Sequence, residues 1–141
     1  RSFLMTARNS GSCLCKKINF KIEGEFESFY LCHCDRCRKD SGSAHAANLF
    51  SSTANLKWIS GQENIKTFIL PSTEHIKSFC STCGSAMPNI QMEGKLLMVP
   101  AGCLDGDFTM KPTAHIFLSD KARWDENLEI APRFEEFPGQ S

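Results

Sequence analysis

Polar and apolar side chains come close to alternating over residues 11–23, with Ile18, Phe20 and Ile22 on one face. That period of two is the mark of a half-buried strand. Residues 29–32 read as a second strand running straight into a cluster of cysteines, and the polar stretch 36–42 (RCRKDSG), ending in glycine, reads as one short helical turn. Further short strands are predicted over 45–50, 56–59, 65–70, 75–79, 86–90, 96–99 and 115–118, punctuated by Ser-Ser-Thr, Ser-Gly and Pro-Ser breaks. No segment holds an apolar period of 3.6 over three helical turns. The stretch 124–141, with Pro132, Pro138 and Gly139, predicts an irregular wrap over the sheets. The pattern therefore predicts one mainly β domain of about ten short strands.

A chain of 141 residues with 41% hydrophobic positions is long enough to bury one core of its own. Sixteen basic residues balance sixteen acidic ones, which removes the electrostatic case for nucleic acid or a membrane surface as partner. No apolar run approaches the roughly 18–20 residues that a transmembrane helix needs.

The excess is in cysteine. Eight thiols fall as Cys13-x-Cys15, Cys32-x-Cys34-x-x-Cys37, Cys80-x-x-Cys83 and a lone Cys103. Pairs this close suit chelation, because neighbouring thiolates converge on one ion, whereas disulfides at such spacings are strained. Metal is expected over disulfides, with zinc first among metals. Thiols kept free for a metal make a reducing cytoplasm the expected compartment.

A structural zinc site draws two ligand pairs from distant parts of a chain and staples them. Cys13 and Cys15, at i and i+2 of the expected strand, would share a face, and Cys80 and Cys83 flank a turn in which Gly84 can take a positive φ. Together they make a closed four-cysteine site with a folding role. Cys32, Cys34 and Cys37 differ: three thiolates with an open fourth position is how catalytic zinc is held. Such a centre carries a net negative charge. Arg36, Arg38 and Lys39 beside it would offset that charge or receive a substrate carboxylate; the competing reading is a solvated basic turn.

Other residues divide between packing and chemistry. His33, between two ligands, is expected to turn away from the ion; His45 and His115 are expected to pack. Asp105 and Asp107 read as a turn before a pocket wall, and Trp124 as a core residue before a cleft wall. Cys103 reads as a buried thiol; as a fourth ligand it would close the second site. Ser41 and Ser43 lack a partner His and Asp by motif, so no serine hydrolase is indicated.

GSCLC at 11–15, CHCDRCRKDSG at 32–42, FCSTCGS at 79–85, AGCLDG at 101–106 and HIF with KARW within 115–124 occur in the order found in the glutathione-dependent formaldehyde-activating enzyme family, which the chain resembles over roughly residues 11–135. The expected division takes its domain bounds of 11–135 from that resemblance and leaves an N-terminal extension over 1–10 and a C-terminal tail over 136–141. The resemblance implies a β-tent of short antiparallel sheets, as in methionine-R-sulfoxide reductases and Rab-binding zinc chaperones. It implies a structural zinc on Cys13, Cys15, Cys80 and Cys83, and a reactive zinc on Cys32, Cys34 and Cys37. The implied activity is addition of the glutathione thiol to formaldehyde, or to another small aldehyde, by a carbon–sulfur lyase read backwards. The chain departs from the family pattern at Lys16, where glycine is common, and at Cys103.

Two alternatives stand beside this enzyme: a non-catalytic zinc-binding β-tent module, and a thiol redox protein cycling its cysteines through disulfides.

Overall fold

The structure, a computed structural model, describes residues 7–139; the first six residues of the expected N-terminal extension and the last two of the expected tail lie outside the described residues. The chain opens as a hairpin. Strand β1 (Arg8–Ser12) pairs antiparallel with β2 (Asn19–Glu23), so the single strand expected over 11–23 is broken by a turn. In that turn the Lys16 amide donates to the Cys13 carbonyl at 3.1 Å, and Lys16 takes a φ of 70°. The alternating pattern was real for its second half: Ile18, Phe20 and Ile22 are all fully buried. Gly11 permits the close approach of β1 to β2, since a Cβ there would lie 2.0 Å from the Phe20 ring.

Strand β3 (Ser28–Cys32) leads into helix α1 (Asp35–Ser41), and β4 (Ala46–Ser51), β5 (Asn55–Ser60), β6 (Ile65–Ile69) and β7 (Ile76–Cys80) follow. The strand expected over 86–90 is two strands, β8 (Ala86–Met87) and β9 (Asn89–Gln91), with the buried Pro88 between them. A proline cannot donate to a ladder, and here the chain changes sheets: β8 pairs with β7, whereas β9 pairs with β10 (Leu96–Pro100). Strand β11 (Ala114–Ile116) completes eleven strands among the described residues.

The strands form three small sheets, ordered β1-β2-β5, β11-β3-β4-β10-β9 and β6-β7-β8. The fold is mainly β, as the patterning predicts, and antiparallel except for the short parallel pair β11–β3. The sheets close on one core, with Phe20 and Ile22 of β2, Leu49 of β4, Met87 of β8 and Val99 of β10 buried together. Phe20 meets Trp58 of β5 edge-on, with ring centroids 5.8 Å apart.

Past β11 the chain is irregular, as expected, but it covers little of the core. Trp124 is 63% exposed, and Ile130 and Phe137 are exposed too. Trp124 is therefore no core residue. Only Ala122 is buried among the described residues of this stretch, and the half-buried Asp125 reaches His33.

Candidate metal centres

The first thiol group joins two turns. Cys13 and Cys15 sit in the β1–β2 turn instead of on one strand face, and it is the turn that brings their sulfurs to 3.6 Å. Cys80 ends β7 and Cys83 lies in the following turn, where Gly84 takes a φ of 79° and donates its amide to the Cys80 carbonyl. Cys15 Sγ stands 3.8 Å from Cys80 Sγ across 65 residues, and all four sulfurs lie within 4.8 Å of one another. A tetrahedral ion with Zn–S bonds of about 2.3 Å spaces its sulfurs about 3.8 Å apart, so the donor set fits a closed zinc site.

Backbone amides support the sulfurs. Ile18 N–H donates to Cys13 Sγ at 3.3 Å and Thr82 N–H to Cys80 Sγ at 3.4 Å. Ser85 ties the two turns together: its hydroxyl accepts from Leu14 N–H at 2.8 Å and lies 3.2 Å from Cys83 Sγ. With the hydroxyl oxygen already accepting, its proton is directed at the sulfur. That hydroxyl and the Ser85 amide lower the Cys83 thiol to about 5.

The second group sits where β3 hands over to α1. Cys32 ends the strand, Cys34 caps the helix, and Cys37 lies in its first turn; the Cys37 amide donates to Cys34 Sγ at 3.4 Å. These three sulfurs also lie within 4.8 Å of one another. Cys32 and Cys37 are buried and Cys34 is half-buried, which makes Cys34 the sulfur that solvent reaches most readily. Burial pushes the Cys32 and Cys37 thiols up. At Cys34 burial acts in the same direction, but hydrogen bonds from the Cys37 amide and from the Cys37 and Cys32 thiols prevail and lower it.

Cys103 does not join this group. It is buried in the main core near Gly11 and Leu104, and burial holds its thiol at about 12. Among the described residues the second donor set therefore stops at three soft thiols, which suits a zinc ion with one position left for an exogenous ligand.

His33 is buried and packed, as expected, and does not join the three-thiol group. Nε2 lies 2.9 Å from His115 Nδ1, Nδ1 lies 3.4 Å from Asp125 Oδ2, and the His45 ring is 5.1 Å away, centroid to centroid. Burial, and then the neighbouring His45 and His115, depress its pKa. Nε2 exchanges a hydrogen bond with His115, whereas the buried Nδ1 makes none and only faces the Asp125 carboxylate. Asp105 accepts from Ser12 Oγ, at 2.9 Å to Oδ2, and so braces β1.

Beside Cys37 a cleft of about 470 Å³ opens between α1 and β7, floored by Ala46, Asn48 and Phe50 of β4. The three basic residues of α1 part company here. Arg38 is taken by Asp35 at 2.7 Å, whereas Arg36 and Lys39 line an adjoining groove of about 360 Å³ with Phe68 and Leu70. Between cleft and groove stand three residues that the sequence reading did not single out. Asp40 Oδ1 accepts from Lys77 Nζ at 2.7 Å, and Asp40 Oδ2 is 2.8 Å from His75 Nε2. Sequence separations of 35 and 37 residues left no local motif to find them by.

No curated protein matches the chain. In structure the chain resembles a crystal structure of a Rhodobacter sphaeroides protein, with a TM-score of 0.55 and 23% sequence identity over 75% of this chain and 98% of that one; at that identity the likeness bears on the fold. The family model for glutathione-dependent formaldehyde-activating enzymes matches residues 8–120, a span that holds all eight cysteines and both thiol groups. The chain belongs to the glutathione-dependent formaldehyde-activating enzyme family.

Proposed function

We propose that the chain, through a zinc domain over residues 11–135, is a zinc-dependent carbon–sulfur lyase acting in the synthetic direction, joining the glutathione thiol to formaldehyde or another small aldehyde as S-hydroxymethylglutathione or its homologue. The observation that carries this reading is the three-thiol group of Cys32, Cys34 and Cys37, which no fourth cysteine joins among the described residues and which borders a cleft of about 470 Å³. That volume lies within the range of about 300–1,000 Å³ usual for small-molecule sites.

Cys13, Cys15, Cys80 and Cys83 would hold one zinc as a staple, and Cys32, Cys34 and Cys37 the second. A zinc ion bound at the second group supplies a Lewis acid that lowers a coordinating thiol's pKa and polarises an aldehyde oxygen. The chain's own residues orient the partners. The Cys37 amide fixes the Cys34 sulfur, and Ala46, Phe50 and Met98 give the cleft an apolar lining. Arg36 and Lys39 offer cationic partners for substrate carboxylates, while Arg38 remains with Asp35. In the reaction the glutathione sulfur, having lost its proton to solvent, forms the C–S bond. The carbonyl π pair moves to oxygen, which takes a proton from water. The atoms balance without an oxidant or reductant, and a reducing compartment such as the cytoplasm keeps eight free thiols available.

Exchange NMR on mixtures of glutathione and formaldehyde tests the reading against the spontaneous rate. Interconversion of free thiol and hydroxymethyl adduct is expected to accelerate with the two-zinc protein and to fall to background with Cys34→Ser. A two-zinc protein that leaves the exchange rate at background would support the non-catalytic zinc module instead.

A further inference from the structure

Asp40 follows Cys37 by three residues on α1, so the two side chains share the helix face that looks toward β7. Both Asp40 oxygens are committed: Oδ1 accepts from Lys77 Nζ, and Oδ2 pairs with His75 Nε2. The Asp40 carbonyl accepts a second Lys77 bond at 3.1 Å. Lys77 is thereby held by two of its three N–H donors, and one is left for a ligand. The trio is half-buried, with side-chain exposures of 18% for Asp40, 18% for His75 and 23% for Lys77.

Its position gives it a role. Lys77 and Asp40 stand in the wall of the cleft that holds Cys37 and also in the wall of the groove that holds Arg36 and Lys39. Neither Arg36 nor Lys39 enters an ion pair among the described residues. The groove therefore presents three cations against the single carboxylate of Asp40, while Glu74 adds an acidic group to the cleft side. A thiol that reached the second thiol group through the cleft would lay the rest of its body along this ridge.

We propose that Lys77, positioned by Asp40, is the specificity-determining residue that selects thiols bearing a carboxylate, binding that carboxylate at the ridge while the sulfur reaches the Cys32–Cys34–Cys37 group. The inference rests on the proposed reaction and names the substrate feature which that reaction uses: an anionic peptide thiol instead of thiols at large. Arg36 and Lys39 then accommodate a second carboxylate across the ridge, as a tripeptide with two such groups requires. Asp40 does not meet the substrate; it keeps the Lys77 ammonium from swinging into solvent.

The test compares glutathione, its diethyl ester and 2-mercaptoethanol as thiols in the formaldehyde exchange assay, with wild type, Lys77→Met and Lys77→Arg. A hydrogen bond to a charged group is worth a factor of about 10–100 in binding. The diethyl ester is therefore expected to show a KM higher by about that factor with wild type at similar kcat. Lys77→Met is expected to raise the KM for glutathione alike, to leave that for 2-mercaptoethanol unchanged, and to be rescued in large part by Lys77→Arg. Equal KM values for glutathione and its diethyl ester with wild type would overturn the inference without requiring any variant to fold. So would a folded, two-zinc Lys77→Met protein that kept the wild-type preference. Failure of wild type to accelerate the exchange with any of the three thiols would instead remove the reaction on which the inference rests.

Discussion

His33 Nε2 lies 2.9 Å from His115 Nδ1, and this contact ties β11 to the loop that carries Cys32 and Cys34. The chain continues past β11 to Asp125, which faces the other nitrogen of the same ring. A buried imidazole thus ties the thiol loop to groups 82 and 92 residues away in sequence. His115→Ala leaves Nε2 of a buried ring without its partner, which costs about 1–3 kcal/mol. Chemical denaturation should show that loss, and the four-cysteine site should keep its zinc throughout.

The two thiol groups are expected to answer differently to loss of one cysteine. Cys80→Ser opens a clasp between turns 65 residues apart, and the expected outcome is a Tm lower by more than about 10 °C, equivalent to roughly 3 kcal/mol in a domain of this size. Cys34→Ser alters a group whose ligands fall within six consecutive residues, so little chain entropy is at stake. That variant is expected to remain folded with one zinc per chain, counted by atomic emission, and with a much smaller change in Tm.

Acid should empty the second site first. Zinc binds thiolates, so each bound ion competes with protons. In the second group burial raises Cys32 and Cys37, against one lowered thiol, Cys34, so protonation of two of its three sulfurs sets in at higher pH as acid is added. In the first group Cys13 and Cys83 are lowered, against one raised thiol, Cys15, at about 11. A chromophoric chelator followed during acid titration should report two release steps, the earlier one absent in Cys34→Ser. A single step, or a first step retained in that variant, would contradict the assignment.

Lys16 occupies the left-handed region, with a φ of 70°, one residue after Cys15. A non-glycine residue there is strained by about 1–2 kcal/mol, part of which is offset by the 3.2 Å bond from Lys16 Nζ to Ser12 Oγ. Lys16→Gly is therefore expected to stabilise the protein by roughly 0.5–1 kcal/mol, read from the denaturation midpoint at unchanged zinc content.

These residues also show where the sequence was readable. The grouping of the thiols was legible in their spacing, and Ile18, Phe20 and Ile22 betrayed their strand by alternation. The hairpin at Cys13–Lys16 was read as continuous strand because its turn has no glycine or proline at the left-handed position; Lys16 stands there. Pro88 was absorbed into one strand although it marks a change of sheet. The exposed side of Trp124 had no local signature, since burial depends on what the fold brings near. The same holds for Asp40, His75 and Lys77, whose meeting depends on α1 packing beside β7.

The central claim is that Cys32, Cys34 and Cys37 hold zinc with a position open to a substrate thiol. Cobalt substitution reads this most directly, because thiolate-to-cobalt charge transfer grows with each sulfur bound. Titrating the cobalt protein with glutathione should raise that absorption to saturation at one equivalent per chain, in wild type and Cys103→Ala alike, and not in Cys34→Ser. An absorption that stays flat in wild type under saturating glutathione would contradict the account.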